Sequence, residues 1–501
     1  GGGALRGGAW NRRPMSERVP GGERLFSRLR VLSDAQLEQI HEASLEILNR
    51  TGVRVCDPEA LDLLRDAGCS VSGGDTVRFQ AEVIEEAIER APSRIVLGRR
   101  SGETRLVLEG PRSYFGTGSD LPHTLDLETG RRRVSVLSDV ADTARLADAL
   151  PNIDFVMSMA LPSDVPRATS DRHSFLAMVT NTSKPIVFTA WDESGLADII
   201  EMAEVVAGSA EALAQNPFLV AYLEPTTPLL HTQTALSKML MMADKGLPFV
   251  YSPGPVEGAT APVTSAGALA IANAEVLSGL AVAQLRKPGA PFIYGSGSGP
   301  LDMRTTVATY VSPEFMLHCK AIAELGHHLY KLPVWGFAGC SDSKTADLQA
   351  GADSAMWILW TAMCGANLVH DVGYIESGMT CSYEMIVTCD EIIGFARRLL
   401  GGLEISPETL ALDVIDEVGP GGEYVTTDHT LRHFRNSWYP RVFDRLNYHS
   451  WDDAGRQTAV ETARGLALQA IAEHQPDPLS DTTLETLRGI VSAADDCVRI
   501  E

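Results

Sequence analysis

Gly365–Gly378 reads GANLVHDVGYIESG, and the change of character within this stretch decides the architecture. A mostly apolar run, Ala366 to Val369, meets His370 and Asp371 without a break, and Gly373, Tyr374 and Glu376 follow. This is how a buried strand looks where its C-terminal end opens into a polar, glycine-loosened loop. In a barrel of alternating strands and helices, chemistry is placed at that end.

Working outward, the same rhythm recurs. Apolar runs, many led by proline, stand at SYFGTG (113–118), IDFVMSMA (153–160), PIVFTAW (185–191), PFLVAYLE (217–224), PFVYSPG (248–254), PFIYGSGSG (291–299), PVWGFAG (333–339) and ANLVHDVG (366–373). Helix-length amphipathic segments separate them, and one more, Glu384 to Leu400, follows the last. Runs apolar on both faces imply parallel strands covered all round, and eight strand–helix units imply an α/β chain folded as a (β/α)8 TIM barrel. A doubly wound open sheet is the competing architecture, but no GxGxxG supports a dinucleotide version. The leading prolines fit the barrel reading, since proline is tolerated at the first residue of a strand.

The flanks read differently. Residues 1–30 are rich in Gly and Arg, a flexible N-terminal arm; residues 31–110 form an N-terminal helical cap, with helices after Ser33 and over Ala81 to Arg90. The barrel spans 111–401. Residues 402–501 are a C-terminal helical cap, or an oligomer contact, with helices expected at Arg456 to His474 and Asp481 to Ala494.

Hydrophobic residues at 45% and charged residues at 21% describe a globular protein, and the net charge, 42 − 65 = −23, argues against polyanions as partners. Nucleic acid and anionic membrane surfaces are the partners it disfavours, since a polyanion would be repelled. A cationic substrate suits the charge, although acidic surfaces also serve solubility. With no run of 18 apolar residues and no signal-peptide core, a cytoplasmic location is expected. The eight cysteines form no CxxC pair, so no metal site and no disulfide framework is indicated.

The candidate site is the set of residues at the strand ends. It includes Asp120, Glu224, His370 and Asp371, and it is acidic and aromatic, with Lys344 as its lone cation. Tyr222, Tyr251, Tyr294, Trp335, Phe337 and Tyr374 lie in or near those ends. Aromatic faces and carboxylates hold a quaternary ammonium, which has no N–H to donate; the alternative is that such rings simply fill the interior. Glycines at 295, 297 and 299, around Ser296, either let backbone approach a bulky ligand or form a plain loop. His370 is either a core histidine or, beside Asp371, a functional one.

LSDAQLEQIHEASLEILNRTGV (32–53), LDLETGRRRVSVLSDVADTARLADALPNIDF (125–155), GCSDSKTADLQAG (339–351), NLVHDVGYIESG (367–378) and DHTLRHFRNSWYPRVFDR (428–445) occur in this order. Through them the chain resembles the trimethylamine methyltransferase (MttB-type) superfamily, in its non-pyrrolysine branch. The resemblance implies a (β/α)8 enzyme delivering a methyl group from an amine to the Co(I) corrinoid (cobalamin) of a separate carrier protein, with no tightly bound cofactor of its own. The trimethylamine enzymes carry pyrrolysine in the barrel, whereas this chain reads GCSDSK at 339–344, which favours relatives that take glycine betaine, proline betaine or carnitine. On this reading His370 and Asp371 act where substrate or corrinoid enters. Tyr251, Tyr294, Trp335, Phe337 and Tyr374 cradle the cation, with Glu224 and Asp120 adding negative potential. Gly295, Ser296, Gly297, Gly299 and Asp342 face the corrinoid. The expected partners are a small cationic amine, a corrinoid carrier protein and further copies of the chain. An acid/base enzyme using His370 and Asp371, or a catalytically silent betaine-binding barrel, are the competing readings.

Overall fold

In the computed structural model, residues 29–102 and 105–500 are described, and they divide into a large unit, 29–396 with 440–500, and a small one, 397–439. Each is taken by itself.

Every apolar run pairs in parallel with its neighbours in the large unit. Leu368–Val372 pairs with Tyr114–Thr117, and Gly116 bridges Phe155. Val156 bridges Ile186, and Ile186–Phe188, Leu219–Leu223, Phe249–Tyr251 and Phe292–Tyr294 follow side by side. Tyr294 bridges Val334, and Trp335–Phe337 pairs with Leu368–Val372, where the series began. The architecture is mixed α/β, as the two-faced apolar runs lead one to expect.

Helices fill the intervals at Leu137–Ala149, Ser170–Asn181, Glu193–Ala207, Gln233–Lys245, Ser265–Arg286, Pro313–Glu324, Leu348–Cys364 and Tyr383–Leu400. Their starts are set locally: Asp192, Thr232, Ser312 and Asp347 each accept a hydrogen bond from the third residue on, satisfying an amide the first turn leaves unpaired. Gly208, Gly246 and Gly365 end three of them at positive φ, which a Cβ would oppose.

Ser265–Arg286 is long and apolar enough to cross a membrane by composition, with a mean hydropathy of 1.6, because only Glu275 and its terminal Arg286 are charged. It is instead a core helix, 83% of its apolar window being buried. Helices Asp34–Arg50, Pro58–Asp66 and Ala81–Arg90 cover it. The stretch read as helical also contains strands, Val53–Val55, Ser70–Ser72 and Thr76–Arg78 in one small sheet and Ile95–Gly98 with Arg105–Leu108 in another. IVLG at 95–98 already reads as extended in the sequence, and the other runs are too short for sequence periodicity to register.

One buried cation locks the frame. Lys184 is 4% exposed, and its Nζ donates to the carbonyls of Ala147 (2.6 Å), Leu150 (2.7 Å) and Ile153 (2.6 Å), tying the end of a helix to the start of the next strand run. Burial pulls its pKa down to about 8. Helices Ala459–Glu473 and Asp481–Ile500 lie on the outer helices, and Arg464 meets Glu384 at 3.0 Å.

Candidate functional site

The strand ends open into a cavity of about 260 Å³, lined in part by Tyr222, Glu224, Tyr310, Phe337, His370, Asp371 and Tyr374. Its geometry follows from the pleat. Leu223, Tyr251 and Tyr294 are in register across neighbouring strands, and Val334 continues the row. Alternation puts Tyr222, Trp335 and Phe337 on the opposite face, and Phe337 is in register with His370.

His370 sits in an aromatic collar. Its ring lies 4.4 Å from Trp335, 4.5 Å from Phe337 and 5.8 Å from Tyr222. The strand register shifts between Val369 and Val372, a bulge that presents both His370 and Asp371 to the cavity instead of alternating them. Asp371 takes a φ of +76°, uncommon for a residue with a Cβ. The His370 Nδ1 and Asp371 Oδ1 atoms are 2.8 Å apart but out of hydrogen-bond alignment; none of the four polar atoms of the pair finds an aligned partner among the described residues, though both are buried. Buried groups of this kind are ordinarily satisfied, so the pair is a place for a ligand or for chemistry.

Glu224 and Tyr222, two residues apart on one strand, act together. The Tyr222 phenol donates to Glu224 Oε1 at 2.5 Å. Glu224 opens onto the cavity yet is enclosed by protein, and that desolvation raises its carboxyl above the usual range, with the Tyr222 hydrogen bond opposing. Tyr374 closes one side, its hydroxyl donating to the Ser119 carbonyl at 2.6 Å. Gly118 makes room for that ring: a Cβ there would stand 2.2 Å from Tyr374 Cζ.

Of the glycine loop, Gly297 and Gly299 line the cavity; a Cβ on Gly297 would come within 2.6 Å of Phe337 Cζ. Gly295 lies against Trp335, and Ser296 Oγ donates to the Pro253 carbonyl at 2.9 Å. Asp120 does not line this cavity; its carboxylate accepts from Ser158 Oγ (2.9 Å) and Thr189 Oγ1 (2.7 Å), and desolvation raises its pKa. Asp342 receives the amides of Tyr310 (3.1 Å) and Val311 (3.2 Å), so it positions the loop that carries Tyr310. The pleat sends Tyr251 and Tyr294 to the helix side, where the Tyr251 hydroxyl and His231 Nδ1 are 2.6 Å apart and the Tyr294 hydroxyl donates to Asn273 at 2.7 Å. Both are fully buried and remote from the cavity lining. Lys344 is exposed, its Nζ donating to the Asp342 carbonyl at 2.7 Å.

Sequence reading passes over Tyr310 and Phe315. Both follow the strand pair Leu301–Asp302 and Val307–Ala308, an insertion beyond the PFIYGSGSG run whose path back over the cavity no local pattern announces.

The sequence matches the family described as Trimethylamine methyltransferase (MTTB) over residues 1–495. The chain belongs to that family. Among its MTTB relatives are "Trimethylamine methyltransferase MttB" of Desulfitobacterium hafniense (strain DSM 10664 / DCB-2), 31% identical over 93% of this chain and 94% of the relative. Another is "Glycine betaine methyltransferase" of Desulfitobacterium hafniense (strain Y51), 31% identical over 92% of this chain and 97% of the relative. This MTTB member is therefore a methyltransferase. Its fold is similar to that of the Methanosarcina barkeri monomethylamine methyltransferase (MtmB), at a TM-score of 0.50 and 12% identity over 91% of this chain and 88% of that one. The hydroxylamine complex of MtmB gives 0.51 with 12% identity, over 92% and 88%.

Proposed function

We propose that this methyltransferase moves a methyl group from a small quaternary amine of the glycine betaine type to the Co(I) corrinoid of a separate carrier protein. The observation that carries the reading is the lining of the cavity: aromatic rings and two carboxylates, Glu224 and Asp371, with no Lys or Arg lining it among the described residues. Aromatic faces and negative charge recognise a cation that cannot donate a hydrogen bond. A volume of about 260 Å³ admits a betaine, and proline betaine, carnitine and trimethylamine are the alternative substrates.

A corrin macrocycle is too large for this space, so it would approach the substrate from outside the cavity, whose lining includes Gly254, Gly297, Gly299 and Gly378. When bound, the corrinoid supplies a Co(I) nucleophile. The chain's own residues position: Tyr222, Tyr310, Phe337 and Tyr374 surround the ammonium, while Glu224 and Asp371 balance its charge. As the C–N bond breaks the nitrogen keeps its electron pair, and the methyl would pass as a cation equivalent to the carrier's Co(I), which supplies the pair for the new bond. No proton is required, because a quaternary nitrogen is already a competent leaving group, and catalysis reduces to holding one methyl in near-attack geometry.

The returning series of parallel strand runs supports a (β/α)8 barrel over 111–401 as the scaffold. Exposed apolar side chains in the small unit, Leu403 and Leu431 among them, support association with further copies of the chain. A cytoplasmic setting is part of the proposal: the one helix among the described residues long and apolar enough to cross a membrane is a core helix instead.

An anaerobic assay tests the reaction: purified protein, Co(I) cobalamin or a corrinoid carrier protein, and a panel of methylated amines, following loss of the Co(I) absorption. Turnover with one quaternary amine is the expected result. A second reading, an acid/base enzyme, rests on the His370–Asp371 approach of 2.8 Å. Substrate consumption without any corrinoid would favour it, and betaine binding with no transfer would favour a silent binding barrel.

A further inference from the structure

Residues 397–439 do not include a single buried residue, and the helices Pro407–Leu410, Leu412–Val418 and Asp428–His433 each bury nothing. So small a segment without a core does not hold its shape by hydrophobic burial, and short units of this kind are commonly fixed by a metal or a disulfide. Its sequence contains no cysteine. It does contain His429 and His433, four residues apart and hence on one face of Asp428–His433, with ring centroids 4.4 Å apart. Glu408, from the neighbouring Pro407–Leu410 helix, brings Oε1 to 3.0 Å from His433 Nε2.

We infer that Glu408, His429 and His433 form a binding site for a divalent transition metal, Zn²⁺ by preference, which fixes the 397–439 unit. The three donor atoms lie within 4.8 Å of one another, the one such group among the described residues. With metal–ligand bonds of about 2.0–2.2 Å, adjacent donors in a tetrahedral site stand roughly 3.3–3.5 Å apart. The Glu408–His433 pair is already near that separation, and side-chain rotation at His429 closes the rest. Two imidazoles and a carboxylate select zinc and its neighbours over magnesium or calcium, which prefer all-oxygen sites.

The surroundings bear on the site in both senses. As placed, the Asn436 amide nitrogen, Nδ2, lies 3.3 Å from His433 Nδ1. With the carboxamide flipped so that its oxygen faces Nδ1, it accepts from Nδ1–H, leaving the Nε2 lone pair for the metal, the usual device for orienting a histidine ligand. Arg432 opposes: its Nη2 is 3.3 Å from the same Glu408 oxygen, so metal binding displaces this guanidinium. The fourth position is left to water.

The test uses the full-length protein, free of any histidine tag and stripped of metal, titrated with Zn²⁺ against a chromophoric chelator and with Co²⁺ for its visible spectrum. The expected result is one equivalent of Zn²⁺ per chain and a tetrahedral Co²⁺ absorption. His429→Ala and His433→Ala should each remove both, Asn436→Ala should weaken binding by roughly tenfold, and Arg432→Ala should tighten it. Bound Zn²⁺ should also slow proteolysis within 397–439. The same stoichiometry and affinity in the His429→Ala/His433→Ala double variant would overturn the proposal, as would an Arg432→Ala protein that binds no zinc. Glu408, Arg432 and His433 would then be an ordinary surface ion-pair cluster. His370→Ala controls for zinc taken up at the cavity: loss of binding in that variant, with the double variant unaffected, also overturns the assignment.

Discussion

Replacing Asp371 by Asn removes one negative charge from the cavity and little else. The two side chains are nearly isosteric, and asparagine tolerates the φ of +76° that the bulge imposes. A sphere of 260 Å³ has a radius of about 4 Å, which puts a bound ammonium roughly 5 Å from the Asp371 carboxylate; at an effective dielectric constant near 20, that pair attracts by roughly 3 kcal/mol. Glu224 faces the same space and keeps part of the potential, so about 1.5–3 kcal/mol should be lost, or roughly ten- to hundredfold in affinity. Calorimetric titration with glycine betaine measures this directly. A parallel titration with 3,3-dimethylbutyrate, in which carbon replaces the charged nitrogen, should show no comparable loss. If Asp371→Asn binds the betaine within about threefold of wild type, with unchanged circular dichroism, the electrostatic account of the cavity is wrong.

Other consequences can be checked alongside. Because desolvation raises the Glu224 carboxyl above its ordinary 4.5, the site loses this charge as pH falls through the raised value, so kcat/KM for a quaternary amine should decline at a pH above 4.5, and Glu224→Gln should flatten that limb. Gly297→Val places carbon against the Phe337 ring, where even a Cβ stands only 2.6 Å from Cζ; KM for bulky betaines should rise, at an overpacking cost of about 1–3 kcal/mol in thermal unfolding. Lys184→Met leaves the Ala147, Leu150 and Ile153 carbonyls without their donor and should cost about 3 kcal/mol or more in urea unfolding. With Lys184 at about 8 when folded and 10.5 when unfolded, the unfolded chain holds the extra proton between those values. Stability from this group therefore rises with pH across that window, and the variant should lose the rise.

The strand runs were legible because proline and glycine punctuate them and because both faces are apolar. That second property is also what hid the site's parity. In a strand such as Phe249–Tyr251, buried throughout, no polar alternation says which side chains face inward, so Tyr251 and Tyr294 looked as eligible for the cradle as Tyr222 or Phe337. Registering each strand against its neighbour resolves this, and registration is a long-range property. His370 and Asp371 could be found because charge inside an apolar run is locally anomalous. Tyr310 could not, since the loop that returns it to the cavity is held by Asp342, thirty-two positions away.

The bulge at His370 and Asp371 has a bearing on how such a site diversifies. A regular strand spaces its inward residues two apart, so a new pair of functional groups has to be assembled around an intervening outward residue that packing already dictates. Here the two inward groups are adjacent codons. A library randomised over only those two positions samples paired changes of acid, base and size together, leaving the pairing of Leu368 and Val369 on one side and Val372 on the other untouched.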